Sequence, residues 1–222
     1  MFKHHRFPKS IILQAVYFKL RFTLSYRDVE ELLQIRGVEV DHSTIQRWVF
    51  KFSPEVEKNM NKRKRQVGSS WRMDETYIKV GGKDRYLYRA VDKFGNTVDF
   101  LLTKRRMKGS AQNFLNKAIG NNSKPRVINI DKSGANKSGI RSINRELMTI
   151  KKIKIRQCKY LNNIVEQDHR FIKWRIQQGL GFKEFESARR TLSGIEIVRM
   201  IKKNQLSGQD KTIFKSFMSL AA

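Results

Sequence analysis

Cysteine is almost absent from this chain, acidic residues are scarce, and no long apolar run occurs. The single cysteine, Cys158, excludes an internal disulfide and any zinc site built on paired cysteines, which fits a reducing interior. No apolar stretch approaches the ~20 residues of a membrane-spanning helix, so no membrane partner is expected. Behind the basic start Met1-Phe-Lys-His-His-Arg6, no long apolar segment with a small-residue cleavage site follows, and a signal peptide is not expected. His4, His5 and His42 show no metal-ligand spacing.

What the chain has is positive charge. Its 222 residues carry 47 Lys and Arg against 20 Asp and Glu, a net +27. Such an excess repels itself in a compact state and is usually tolerated because a polyanion neutralises it. Nucleic acid is the leading partner, although ribosomal and membrane-surface proteins share the balance. Residues 1–70 hold 14 basic and 7 acidic side chains, and residues 71–222 hold 33 and 13, so the charge is no detachable tail. The length and a hydrophobic content of 39% suit one ordinary domain and a small second one.

Residues 10–60 read as helical. Ser25 caps a helix with Asp28 three residues on, a capping box with Asp in place of Glu. Gly37 suits a left-handed helix end, and Asp41 or Ser43 can start the next helix. Helix, Gly turn, helix is the helix-turn-helix outline. Ser43, Thr44, Gln46, Arg47 and Lys51 are its candidates for base or phosphate contact, while Trp48 suits packing better than stacking on bases. The charge run Lys62-Arg-Lys-Arg65 reads as a linker. From Trp71 the period changes to two: strands over 71–80, 85–91 and 98–103 form a meander, followed by a helix from about 110, a strand 126–130, a helix 140–148, a short strand near 154–156, and helices 162–177 and 185–202. The expected domains are 1–60 (helix-turn-helix), 61–70 (linker), 71–205 (mixed α/β) and a polar tail 206–222.

Three separated carboxylates stand out in so basic a chain. Asp74 lies mid-strand, where Asp is depleted, and its neighbour Glu75 points to the other face, so the two should not both be ligands. Asp131 ends the apolar run Val127-Ile-Asn-Ile130, a place for a ligand-facing group or equally for a helix N-cap. Glu166 lies 35 positions on and shares a helix face with Arg170, Lys173 and Gln177. An acid heading a basic stripe suits a metal at one end and phosphates along the rest, because phosphodiester transfer asks mainly for positioning and charge neutralisation by hard cations. Asp84 and Asp92 fit turns, Asp168 faces away from Glu166, and His169 fits a surface or core-edge position.

The stretches Trp71-Arg-Met-Asp-Glu-Thr-Tyr-Ile-Lys79, Tyr86-Leu-Tyr-Arg-Ala-Val-Asp92, Asp131-Lys132, Lys159-Tyr-Leu-Asn-Asn-Ile-Val-Glu-Gln-Asp-His-Arg-Phe-Ile-Lys173 and Gly194-Ile-Glu196 resemble bacterial insertion-sequence transposases of the IS six (IS twenty-six) group, as does Leu24-Ser-Tyr-Arg-Asp-Val-Glu-Glu-Leu-Leu33. The likeness spans roughly residues 6–203. It implies an α/β fold: an RNase H-like catalytic domain, a mixed sheet with flanking helices, behind a small all-α helix-turn-helix. It implies an Asp-Asp-Glu triad at Asp74, Asp131 and Glu166 holding two Mg²⁺ ions, with Mn²⁺ as a substitute, and Lys173 as the basic residue that follows. The implied activity is cleavage and joining of double-stranded DNA at transposon ends and target, by at least a dimer, in the bacterial cytoplasm at the nucleoid. After Asp131-Lys the relatives usually carry Ala-Pro, whereas this chain has Ser133-Gly-Ala-Asn136. The competing reading is a DNA-binding protein without chemistry, a regulator or a decayed transposase, which the helix-turn-helix and the charge support equally.

Overall fold

A computed structural model describes residues 6–131, 133–178 and 181–221; His4, His5 and Lys132 lie outside them. In chain order the elements are α1 (Lys9–Arg21), α2 (Tyr26–Gln34), α3 (His42–Arg63), β1 (Ser70–Val80), β2 (Lys83–Asp92), β3 (Thr97–Thr103), α4 (Lys108–Asn121), β4 (Val127–Ile130), α5 (Gly134–Arg145), β5 (Lys154–Gln157), α6 (Asn163–Gln178), α7 (Phe185–Lys202) and α8 (Ile213–Ser219). They form two compact units, one of Met1–Arg65 with Gln177–Ala222 and one of Gln66–Ile176.

These units do not follow the expected boundaries of 60, 70 and 205. The basic run expected as a linker is instead partly the last turn of α3, which contains Lys62 and Arg63. Helix α7, expected with the sheet, belongs to the helical unit and packs there against α1, α3 and α8. It is apolar on most sides, with Ala188, Leu192, Ile195, Ile197, Val198, Met200 and Ile201 all buried, and such a helix needs neighbours around its circumference. Gly194 permits the close approach to α1, since a Cβ there would meet the Leu20 side chain at 2.5 Å. The expected polar tail contains α8, capped by Thr212 and held by Phe214 and Phe217 against Tyr17 at ring separations of 5.1 and 5.4 Å.

Within the helical unit the expected capping box is present: the Ser25 amide donates to Asp28 Oδ2 at 2.7 Å and the Asp28 amide to Ser25 Oγ at 3.0 Å. Helix α2 closes at Gly37, φ +72°, with the Val38 amide donating to Leu33 O at 3.0 Å. Helix α3 runs through Pro54, which has no amide hydrogen for the Phe50 carbonyl four residues back. Arg190 supplies the missing donor, its Nη1 lying 2.9 Å from Phe50 O while its guanidinium sits 3.7 Å over the Phe50 ring. Trp48 is buried, edge-on to Phe7.

The second unit is built on a five-stranded mixed sheet in the order β3-β2-β1-β4-β5. Strands β1 to β3 form the antiparallel meander; β4 runs parallel to β1, and β5 parallel to β4. This sheet with flanking helices is the RNase H-like arrangement. Asp92 serves the turn after β2, accepting the amides of Phe94 and Asn96 at 2.9 Å and that of Gly68 at 3.0 Å. Alternation divides β1 and β4 cleanly. Trp71, Met73, Ile128 and Ile130 enter the core with Phe114 of α4 and Ile140 of α5. Arg72, Asp74 and Asn129 have the opposite parity, on the face where Asp74 meets His169 of α6.

Candidate active site

The parallel register of β1 and β4 ends at Arg72 opposite Asn129. Two residues further on, β1 carries Asp74 and the chain leaving β4 carries Asp131, so both carboxylates follow the same end of the paired segment and share the parity of Arg72 and Asn129. Asp74 keeps 18% of its side chain exposed. Asp131 accepts the Ser133 amide on Oδ1 at 2.8 Å, which leaves Oδ2 for another partner.

Helix α6 reaches this face through buried polar contacts. Arg89, fully buried and opposite Asp74 in the β1–β2 register, donates from Nη2 to Asp168 Oδ2 at 3.1 Å. Asn129 donates from Nδ2 to Asn162 Oδ1 at 2.6 Å and to Cys158 O at 2.9 Å, clamping the approach to α6 onto β4. His169 is buried, with Nε2 3.4 Å from Asp74 Oδ2. Glu166, half-buried in the first turn of α6, lies in the chain between these anchors: Asn162 on the β4 side, Asp168 and His169 on the β1 side. Arg170 is exposed beyond it, and Lys173 places its ammonium 4.4 Å over the exposed Tyr77 ring.

Among the described residues, the one group of three acidic, His or Cys side chains whose ligand atoms all lie within 4.8 Å is Glu30, Asp41 and His42. That cluster is explained by helix packing. His42 Nδ1 lies 2.9 Å from Glu30 Oε2, joining α3 to α2, and Asp41 Oδ1 caps α3 by accepting the Ser43 amide at 2.8 Å. It also sits at the positive end of a helix, a poor place for a cation. Asp74, Asp131 and Glu166 are spread more widely. The oxygen-only donor set nonetheless fits hard divalent cations, because a pair of ions ~3.5–4 Å apart needs outer ligands more than one ion's diameter from each other.

On α3, Gln46, Arg47 and Lys51 are exposed, whereas Ser43 and Thr44 are half-buried in the first turn, with Ser43 Oγ accepting from Arg47 Nη2 at 3.2 Å. The residues that sequence reasoning passed over are Arg89, Asn129, Asn162 and the exposed Tyr77. One signal was available: Asn129 interrupts an otherwise apolar strand, and a buried amide needs partners.

A family model described as a DDE domain matches residues 68–205, and one described as Transposase IS66 family matches residues 4–124. The chain is 41% identical over 214 residues to the transposase for insertion sequence-like element IS431mec of Staphylococcus aureus, covering 94% of this chain and 92% of the relative. It is 40% identical, with the same coverage, to the Staphylococcus aureus transposase for insertion sequence element IS257 in transposon Tn4003. Among solved structures, the catalytic core domain of BIV integrase matches 68% of this chain and 95% of its own at 16% identity and a TM-score of 0.45, too loose a likeness to carry more. No described helix is long and apolar enough to cross a membrane.

Proposed function

The chain belongs to the insertion-sequence DDE transposases, metal-dependent enzymes of DNA cleavage and strand transfer, and from that premise we propose that Asp74, Asp131 and Glu166 are its catalytic carboxylates and hold two Mg²⁺ ions, with Mn²⁺ as a substitute. The observation that supports this reading is the set of polar contacts on either side of Glu166 in the chain: Asn162, just before α6, bonds to Asn129 of β4, while Asp168 pairs with Arg89 of β2 and His169 lies 3.4 Å from Asp74 of β1. When bound, divalent ions supply activation of the attacking hydroxyl or water and neutralisation of the leaving oxygen. The chain's own part is positional. The carboxylates offer oxygens from a strand, a strand end and a helix, so the site is preorganised. The His169 ring lies against Asp74, and the Ser133 amide orients Asp131. Arg170 and Lys173 continue the Glu166 face and bind backbone phosphates of the DNA.

In the helical unit, α2, the Gly37 turn and α3 form the reader of the terminal inverted repeats, with Ser43, Thr44, Gln46, Arg47 and Lys51 toward the DNA. Two transposon ends must be held at once, which calls for at least two copies of the chain. The double-stranded DNA substrate puts the enzyme in the cytoplasm at the bacterial nucleoid.

Strand cleavage and joining on terminal-repeat DNA with Mg²⁺ tests the assignment. Asp131→Ala and Glu166→Ala should each lower the rate on the order of 10³-fold while leaving terminal-repeat binding intact. Undiminished activity in either variant sinks the triad.

A further inference from the structure

The dipeptide Asp74-Glu75 sends its two carboxylates to opposite faces of β1, and the second one enters a polar cluster of its own. Glu75 has only 4% of its side chain exposed and ion-pairs through Oε1 with Arg106. Asn136 Nδ2 donates to Glu75 Oε2 at 2.5 Å, and Ser133 Oγ lies 3.5 Å from Glu75 Oε1. Ser133 is the N-cap of α5, accepting the Asn136 amide at 3.4 Å, and its own amide is the donor to Asp131. Thus the Ser133-Gly-Ala-Asn136 loop that follows Asp131 is tied to the residue next to Asp74 by its two polar side chains, Ser133 and Asn136.

We propose that Glu75 is a positioning residue for Asp131: it pins the loop after Asp131 from the far face of β1 and engages Arg106, which would otherwise pair with Asp131. The proposal rests on the metal-site reading above. A buried carboxylate is costly unless several donors converge on it, and three do so here. Arg106 Nη2 also lies 3.4 Å from Ser133 Oγ, beside the Asp131 loop. Burial works against the charge of Arg106, but Glu75, and after it Asp131, outweigh burial and hold the guanidinium above its ordinary value. With its Nη2 beside Ser133, two residues after Asp131, Arg106 is left facing the Asp131 loop once Glu75 is neutral. An arginine seated there competes with a cation for the same oxygens.

The test is Mn²⁺ binding to the full chain, followed by the loss of the free-ion signal in electron paramagnetic resonance, with circular dichroism to verify folding. Glu75→Gln should weaken Mn²⁺ binding about tenfold, and adding Arg106→Gln should recover a large part of that loss. Wild-type affinity in folded Glu75→Gln, or a loss that Arg106→Gln leaves in full, overturns the proposal. Asn136→Ala removes one donor and keeps the Glu75–Arg106 pair; it should also weaken binding, and wild-type affinity there overturns the pin even if Glu75→Gln does not fold. Asp131→Ala separates the two readings. If it binds Mn²⁺ as wild type does, the metal-site assignment is what fails. If it loses Mn²⁺ while Glu75→Gln does not, the failure is that of Glu75's role alone.

Discussion

Helices α3 and α6 both present basic side chains to solvent, yet they are oriented by different means. Helix α3 is set by signals close in sequence: the Asp41 cap, the Gly37 turn before it, and an apolar stripe of Ile45, Val49, Phe52 and Val56 that buries fully. Helix α6 buries only Val165 and Ile172 as apolar residues, together with Asp168, His169 and Arg175. Polar pairs add to its setting, Arg89–Asp168 within it and Asn129–Asn162 just before it, with partners 79 and 33 positions apart. A polar contact has a defined direction, whereas an apolar stripe tolerates some rolling. That difference suits the role proposed for α6, which is to hold Glu166 in one place.

The comparison breaks most sharply at the buried ion pair. Asp168→Ala should cost about 3–5 kcal/mol, because it removes a carboxylate that faces the buried Arg89 guanidinium, and denaturant unfolding measures it. Replacing both partners, Arg89→Met with Asp168→Leu, should restore most of that stability while strand transfer stays depressed; full activity in the double variant would show that apolar packing sets α6 well enough. Asn129→Leu comes next, at about 1–3 kcal/mol, since it strands the Asn162 oxygen in a buried position.

On α3 the expected change is in binding and hardly in stability. Arg47→Ala should leave the melting temperature nearly unchanged, because the side chain is exposed, while reducing the slope of terminal-repeat affinity against salt by about 1. Unaltered affinity and slope would remove this helix as the reader. The smallest effect lies on β2, at Tyr88 opposite Glu75, in alkali. Burial, and then the Glu75 charge, push the Tyr88 hydroxyl up to about 12 from 10.0. The unfolded chain then loses that proton first, so the contribution is intact below pH 10.0 and is lost as pH rises toward 12. Absorbance at alkaline pH should show one tyrosine, absent in Tyr88→Phe, titrating only near that upper limit.

Legibility followed the range of the interaction. The Ser25 capping box, the meander with its glycine turns, and the turn role of Asp92 could be read because each is made within a few residues. The opposite facing of Asp74 and Glu75 was readable for the same reason, since a strand alternates strictly. The start of α5 was misjudged by several residues: its cap, Ser133, belongs to the Asp131 loop, and Gly134-Ala-Asn136 gives little helical period. Helix α8 is too short, at seven residues, to show a pattern, and its aromatics Phe214 and Phe217 meet Tyr17 far upstream.

By itself, then, the amino-acid order determined the polyanion-seeking charge, the kinds of element and their sequence, and which carboxylates were worth watching. Tertiary structure alone decided that α7 and α8 join the N-terminal helices, that Arg89, Asn129 and Asn162 orient α6, and that Glu75 ties down the loop of Asp131. The reason is physical. Charge and periodicity are local sums along the chain, whereas a buried polar pair exists only when two distant segments meet, and nothing in either segment marks its partner beforehand.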